Sequence, residues 1–408
     1  MAIIKCSECG QYISDKATTC PKCGCPIEKE SSCCECGSKL NPNDRICPNC
    51  GCPVSNSDGF AGTRTSDGNN PTKAQTPSKA DNAGSSSWVN HLNDYVGNDG
   101  PADLNWRVLF SDIGQKHTTE EAEEIFIVGT RRTTPPINEV SKDWPHPWLY
   151  SRVFLMFVIA FVLLWVCCRV FQNPNALPGL IVIGSFTVPL TTLVLFMELN
   201  AWRNVSFFEV IKIFFVGGCA SLVATLILFS IFGTHELDFF GALMTGVIEE
   251  TGKAVIVYYF LSKSNKISIL NGLLIGAAIG AGFAAFESAG YAMRYFFQNG
   301  WEVMMDVIFL RGFLAPGGHV VWAAISGVGL VIAAKARNEV SVNLFFDANF
   351  LRLFIIPVIL HGLWDSPLTA IGEEIYLVPI VLTVLAWIIV LILINMGLAE
   401  VSKIQSEC

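Results

Sequence analysis

Charged side chains are scarce in this sequence: 15% of the 408 residues are Asp, Glu, Lys or Arg, against 51% hydrophobic. That shortage excludes an ordinary soluble enzyme, whose surface draws on about a quarter of its residues being charged. A basic excess is missing as well. The net charge of -8 and pI near 5.3 weigh against a nucleic-acid partner, because phosphate backbones select basic surfaces. Met1 to Lys5 leads straight into the first cysteine pair with no apolar core or cleavage site, so no secretory signal is expected there. His-Glu-x2-His, the helical zinc-protease motif, does not occur. Between residues 55 and 87 apolar residues almost vanish in favour of Ser, Gly, Asn, Thr, Pro and Lys. Such a stretch cannot bury enough surface to offset its ordering entropy, and 55–87 is expected to be a flexible, disordered linker.

What the sequence does have is long apolar runs. They predict about eight transmembrane helices, at 151–171, 178–198, 207–232, 239–261, 270–297, 317–336, 353–371 and 376–397. Each is long enough for a hydrocarbon layer of roughly 30 Å. The expected fold class is therefore an all-α polytopic membrane domain over 149–400, with a short tail at 401–408. Arg131, Arg132, Lys142 and Arg152, then Arg203 and Lys212, Lys263 and Lys266, and Lys335, Arg337 and Arg352 fall on alternate loops. The positive-inside bias then predicts a multi-pass protein of the cell membrane with both termini cytoplasmic.

Cysteine is concentrated rather than spread: eleven of the fifteen lie in the first 52 residues. Cys6-x2-Cys9 with Cys20-x2-Cys23 recurs 27 residues later as Cys33-x2-Cys36 with Cys47-x2-Cys50, with ten residues between the pairs each time. Four thiolates at that spacing close a tetrahedral site, so residues 1–54 read as tandem ribbons holding two structural zinc ions. Such small units depend on the metal to fold. A reducing compartment follows from the thiolates and agrees with a cytoplasmic N-terminus. Cys25, Cys34 and Cys52 are spare thiols with no role assigned. The ribbons' cytoplasmic partner is unspecified. Their Lys5, Lys16, Lys22, Lys29, Lys39 and Arg45 are scattered among acids, which does not favour nucleic acid. Residues 88–148 predict a juxtamembrane helical segment, with helical spacing over 88–96 and 105–113. Thr118-Thr119-Glu120-Glu121 there has the form of a capping box that opens a third short helix.

The polar exceptions inside the apolar runs carry the chemistry. Glu249, Glu250 and Lys253 lie in the fourth run, Phe283-x3-Glu287-x3-Tyr291 in the fifth, His319 opens the sixth after Ala315-Pro316-Gly317-Gly318, and His361-Gly362-Leu363-Trp364-Asp365 lies in the seventh. An intramembrane charge costs about 2.5–3.5 kcal/mol on insertion scales, so such groups face a protein interior or wet cavity and pair with one another. Lys253 is three and four residues from Glu250 and Glu249, within reach of both on a helix. Counting from the proposed outer ends, Glu249, Glu287 and His361 each lie about ten residues in, roughly 15 Å at the helical rise. Asp365 is one turn further out and His319 near the outer surface. Histidines and carboxylates together can hold a metal or orient a water, a glutamate can take its proton, and a lysine or tyrosine can stabilise developing charge. The same groups could also serve as packing contacts, or as a proton relay in a transporter.

Glu249-Glu250-Thr251-Gly252-Lys253, Phe286-Glu287-Ser288-Ala289-Gly290-Tyr291, His319 and His361-Gly362-Leu363-Trp364-Asp365 together resemble the PrsW family of intramembrane proteases, related to the CAAX prenyl endopeptidase superfamily. The resemblance covers about 150–398. It implies cleavage of peptide bonds in membrane-associated proteins, with single-span anti-sigma factors as one substrate class. By motif it implies Glu249 as the residue activating water, Glu250 as its support, and Glu287, His361 and Asp365 as the rest of a water or metal site. His361 and Glu287 would be the ligands of an active-site divalent metal, expected to be zinc. Glu287 stands where the prenyl-protease relatives have a histidine, which leaves a metal-free glutamate mechanism open beside the metal-dependent one. A non-enzymatic membrane protein, either a proton-coupled transporter or an immunity-type interaction protein, is the alternative class.

Overall fold

A computed structural model describes residues 87–407 except 99, 234, 235 and 265, together with the backbone of four short strands nearer the N-terminus. The chain divides into two compact units, 1–66 with the last residue, and 67–407. In the first, β1 (Ile3–Lys5) pairs antiparallel with β2 (Tyr12–Ser14), and β3 (Ser31–Ser32) with β4 (Lys39–Leu40). Each hairpin encloses, in sequence, the first Cys-x2-Cys of one repeat. The cysteines, the zinc sites expected of them and the linker lie outside the described residues.

The second unit is helical. It opens with α1 (Ser87–Val96), α2 (Val108–Ser111) and α3 (Thr119–Ile127). The predicted capping box is formed: Thr118 Oγ1 accepts from Glu121 N at 3.2 Å while Glu121 Oε2 accepts from Thr118 N at 3.0 Å. The helix expected over 105–113 contracts to the four residues of α2, which Asp112 ends. These segments pack on the membrane bundle. Val96, Leu109, Ile137 and Val140 join its buried core.

The bundle runs α4 (Leu149–Arg169), α5 (Leu177–Leu199), α6 (Phe207–Lys212) continuing through a π-turn (Ile213–Gly217) into α7 (Gly218–Phe232), α8 (Phe239–Lys263), α9 (Ile269–Asn299), α10 (Trp301–Leu314), α11 (His319–Arg337), α12 (Ala348–Asp365) and α13 (Leu377–Glu407). Seven stretches among the described residues are long and apolar enough to cross a membrane: Leu149–Arg169, Pro174–Leu199, Phe207–Phe232, Ile269–Asn299, Trp301–Arg337, Ala348–Asp365 and Leu377–Glu407. The chain is a multi-pass membrane protein. The eighth expected helix, α8, is 25 residues long, and what sets it apart from the seven is the charge of Glu249, Glu250 and Lys253.

Two boundaries differ from those read off the sequence, each for a local reason. The sixth run begins far earlier than 317, because α10 precedes the Pro316-Gly317 break and the whole of Trp301–Arg337 forms one interrupted span. His319 is therefore near the middle of that span rather than at the outer surface. The seventh helix ends at Asp365 instead of continuing to 371. Ser366 is extended (φ -79°, ψ 162°), as the residue before a proline prefers, and a short 3-10 turn follows at Pro367–Ala370. His361 thus sits in the last turns of α12, and the residue count does not set its depth; packing does.

Helix α9 is the axis, buried at every position from Ile269 to Ala285. It crosses α11 at close range because Gly276 and Gly280 leave room for backbone: a Cβ at Gly276 would overlap the Ala323 carbonyl, and one at Gly280 the carbonyl of His319. Small residues at such spacing let membrane helices approach where lipid supplies no hydrophobic drive. This contact fixes the first residue of α11 beside Phe283 and Glu287. Outside it, α5 holds α4 through Glu198. Its Oε1 accepts from Trp148 N and Leu149 N and its Oε2 from Tyr150 N, all at 2.8 Å, satisfying amides that the start of α4 leaves without partners. Asp347 caps α12, accepting from Asn349 N at 2.9 Å. Arg337 Nε donates to Asp347 Oδ2 at 2.6 Å and, with the amide of Asn349, holds that carboxyl below its ordinary range.

Candidate active site

Four helices bring the singled-out side chains to one cavity of about 410 Å³. Helix α8 contributes Glu249, α9 Glu287 and Tyr291, α11 His319, and α12 His361 and Asp365. Glu250 and Lys253 lie behind them with no exposed surface, and Glu249 and His361 retain 8% and 2%.

The buried layer is a closed network. Lys253 Nζ donates to Glu250 Oε1 at 2.7 Å and to His319 Nδ1 at 2.8 Å, and stands 3.5 Å from Glu249 Oε2. It also lies 4.2 Å from the centre of the Phe283 ring, whose face favours a cation. His361 Nδ1 is 2.8 Å from Glu250 Oε1. Glu250 Oε1 already accepts from Lys253, so with a second acceptor role there the hydrogen is assigned to Nδ1 and the Nε2 lone pair is left toward the cavity. That Nε2 lies 3.7 Å from Glu249 Oε2 and 3.4 Å from Asp365 Oδ2. Trp322 stacks on the His361 ring, centroids 4.6 Å apart, and fixes its plane.

His319 closes the other side. As Lys253 donates to its Nδ1, Nε2 carries the hydrogen and gives it to Glu287 Oε2 at 3.1 Å. Glu287 is also bound by Arg311 of α10, whose Nε donates to Ser288 Oγ at 2.8 Å. Arg311 and Ser288 were not among the expected site residues. The signal for Arg311 was available: an arginine in an apolar 14-residue stretch needs a buried carboxylate partner. That stretch is too short to cross a bilayer by itself and passes for a loop.

The geometry offers a metal-ligand set different from the expected pair His361 and Glu287. Glu249, His319 and His361 each have one donor atom, all within 4.8 Å of one another; Glu287 is engaged by Arg311 and His319, and His319 itself joins an ion only by giving up its bond to Glu287 or to Lys253. Two observations fit a divalent ion at that triad. Glu249 Oε2 is buried without a hydrogen-bond partner, and His361 has the carboxylate-backed Nδ1 that accompanies metal-ligating imidazoles. Two nitrogens and an oxygen, with room left over, match an open coordination site.

Ionisable side chains from four packed helices are gathered around a cavity inside the apolar bundle of a polytopic membrane protein. Residues 202–394 match the family model described as PrsW family intramembrane metalloprotease, and residues 6–51 match the double zinc ribbon. The membrane domain thus carries the PrsW family match and the N-terminal segment the double zinc ribbon match. Among curated proteins the chain is similar to Protease PrsW of Clostridioides difficile (strain 630), 26% identical over 186 residues, 44% of this chain and 75% of that protein. It is also similar to Protease PrsW of Shouchella clausii (strain KSM-K16), 24% identical over 196 residues, 47% of this chain and 84% of that protein. No solved structure matches.

Proposed function

We propose that this chain is an intramembrane endopeptidase whose reacting groups are Glu249, His319, His361 and Asp365, supported by Glu250, Lys253, Glu287 and Tyr291. The observation that carries the reading is Glu249 Oε2, a buried oxygen with no hydrogen-bond partner, facing His361 Nε2 across 3.7 Å at the cavity wall. A buried carboxylate oxygen without a partner costs free energy unless something binds it, and a water about to attack a carbonyl is such a partner. Glu249 then takes the water's proton. Glu250 holds the His361 tautomer, and His361 Nε2 with Asp365 Oδ2 orients the water. Lys253 offsets the two adjacent carboxylates, so the site is not a pair of naked like charges in low dielectric. In the metal-dependent alternative a divalent ion, for which zinc suits the donor set, would be held by Glu249, His361 and a His319 released from Glu287, and Glu249 would then be a ligand in place of the proton acceptor. When bound it supplies polarisation of the carbonyl and acidification of water.

The proposed substrate is a single-span membrane protein entering from the bilayer. Anti-sigma factors are the class suggested by the family resemblance. Eight crossings, counting α8, put both ends on one side, and the lysines and arginines of alternate loops favour that side being the cytoplasm. The test is substrate trapping in membranes. Candidate single-span proteins are expected to accumulate uncut with Glu249→Gln and His361→Ala, while both variants insert normally. Normal processing by both variants would sink the reading.

A further inference from the structure

We propose that Arg294, seated on Tyr291, is a binding site for a carboxylate side chain of the substrate, about three residues from the bond that is cut. This rests on the protease reading above and adds to it a recognised chemical group. Glu287, Tyr291 and Arg294 occupy i, i+4 and i+7 of α9, one stripe of the helix. Glu287 and Tyr291 line the cavity, so the stripe leads from the site toward the Asn299 end of α9.

Two guanidinium groups share the Tyr291 ring: Arg311 at 4.5 Å and Arg294 at 4.7 Å from its centroid, with Arg294 also 5.2 Å from the Tyr295 ring. Their hydrogen-bonding states differ. Arg311 is committed to Glu287 and Ser288. Arg294 is exposed, and among the described residues nothing takes its donors; the Tyr291 hydroxyl is also without a partner. Of the two acids on α10, Glu302 pairs with Arg169 at 3.5 Å. A guanidinium placed over aromatic rings keeps its planar fork of donors free, the geometry that receives a carboxylate through two parallel bonds. From Glu287 to Arg294 the helix rises about 10 Å, which an extended chain spans in about three residues. An acidic side chain that far from the scissile bond would reach Arg294 while its backbone lies in the cavity.

The test uses the full-length protein in phosphatidylcholine vesicles with single-span reporters carrying Glu or Gln at each flanking position in turn. Binding is measured on Glu249→Gln and cleavage on the wild-type residue at 249. At one position Glu is expected to bind and be cut roughly fivefold better than Gln, the scale of a partly exposed ion pair. Arg294→Gln abolishes that preference and Arg294→Glu transfers it to Lys reporters. Equal binding of Glu and Gln reporters at every position overturns the proposal, as does a preference unchanged in Arg294→Gln. If no Glu preference appears and Arg294→Gln loses only the enrichment of phosphatidylglycerol around the protein in mixed vesicles, the ligand is a lipid phosphate and the proposal falls. A Glu preference in binding with no reporter cut upholds the carboxylate site and overturns the protease reading alone.

Discussion

Glu250 Oε1 receives two partners, Lys253 and His361, from a position with no solvent contact. Removing one member of a buried charge network leaves the others uncompensated, typically at about 3–5 kcal/mol. Glu250→Gln keeps an oxygen for His361 but deletes the charge opposite Lys253. The expected outcome is cleavage reduced by about 10–100-fold, the range seen when the partner of a metal-ligating histidine is altered. Bound metal should fall by one equivalent, and thermal unfolding in detergent should come earlier. Measuring all three on the reconstituted protein checks it. Activity, metal content and unfolding all unchanged would mean that Glu250 does not orient His361. Asp365, on the exposed side of the same imidazole, is expected to lower cleavage as Asn without moving the unfolding temperature, because it keeps 28% of its side-chain surface.

At the scale of the elements, the site depends on how closely α9 and α11 approach. His319 is the first residue of α11, and its backbone carbonyl lies where a Cβ on Gly280 would stand. Gly280→Leu must push the start of α11 away from α9, which separates His319 Nε2 from Glu287 and its Nδ1 from Lys253. The protein is expected to insert in the membrane with its helix content unchanged, yet to cleave at least tenfold more slowly, since displacement of about 1 Å at a reacting group costs that much or more. Circular dichroism and a cleavage assay in vesicles separate the two effects. Full activity would show that α11 tolerates the shift. The apolar runs of α9 and α11 were legible in the sequence because length and composition suffice for a span. Helix α10 was not, because 14 residues fall short of a span and its Arg311 finds its partner 24 positions away, on α9. The end of α12 was missed for a different reason: Ser366-Pro367 stops the helix within an apolar stretch whose hydropathy continues past it.

For the whole molecule, the chain divides into two compact units. The polar motifs pointed to one site because intramembrane charge needs company, and charge alone predicted which residues meet; it could not predict which pairs they form. Glu287 was expected beside His361, and in the structure Arg311 and His319 hold it. The ribbons were legible from spacing alone, since four thiolates at fixed intervals specify a zinc site without any core. The family match at 202–394 lies wholly outside the ribbons at 6–51. In the Shouchella relative, the aligned 196 residues already make up 84% of the protein, leaving fewer residues than the ribbons and linker occupy here. Proteolysis in such a relative therefore does not draw on a head of this size. A variant lacking residues 1–54 is accordingly expected to insert, to keep the metal bound at the Glu249 site, and to lose the two equivalents held by the cysteines. It should cleave a single-span reporter in vesicles within about threefold of the full chain, a difference of well under 1 kcal/mol in barrier. Metal analysis and cleavage rates on the same preparation check both halves. A truncated protein that retains its metal but no longer cleaves would place the ribbons in substrate delivery.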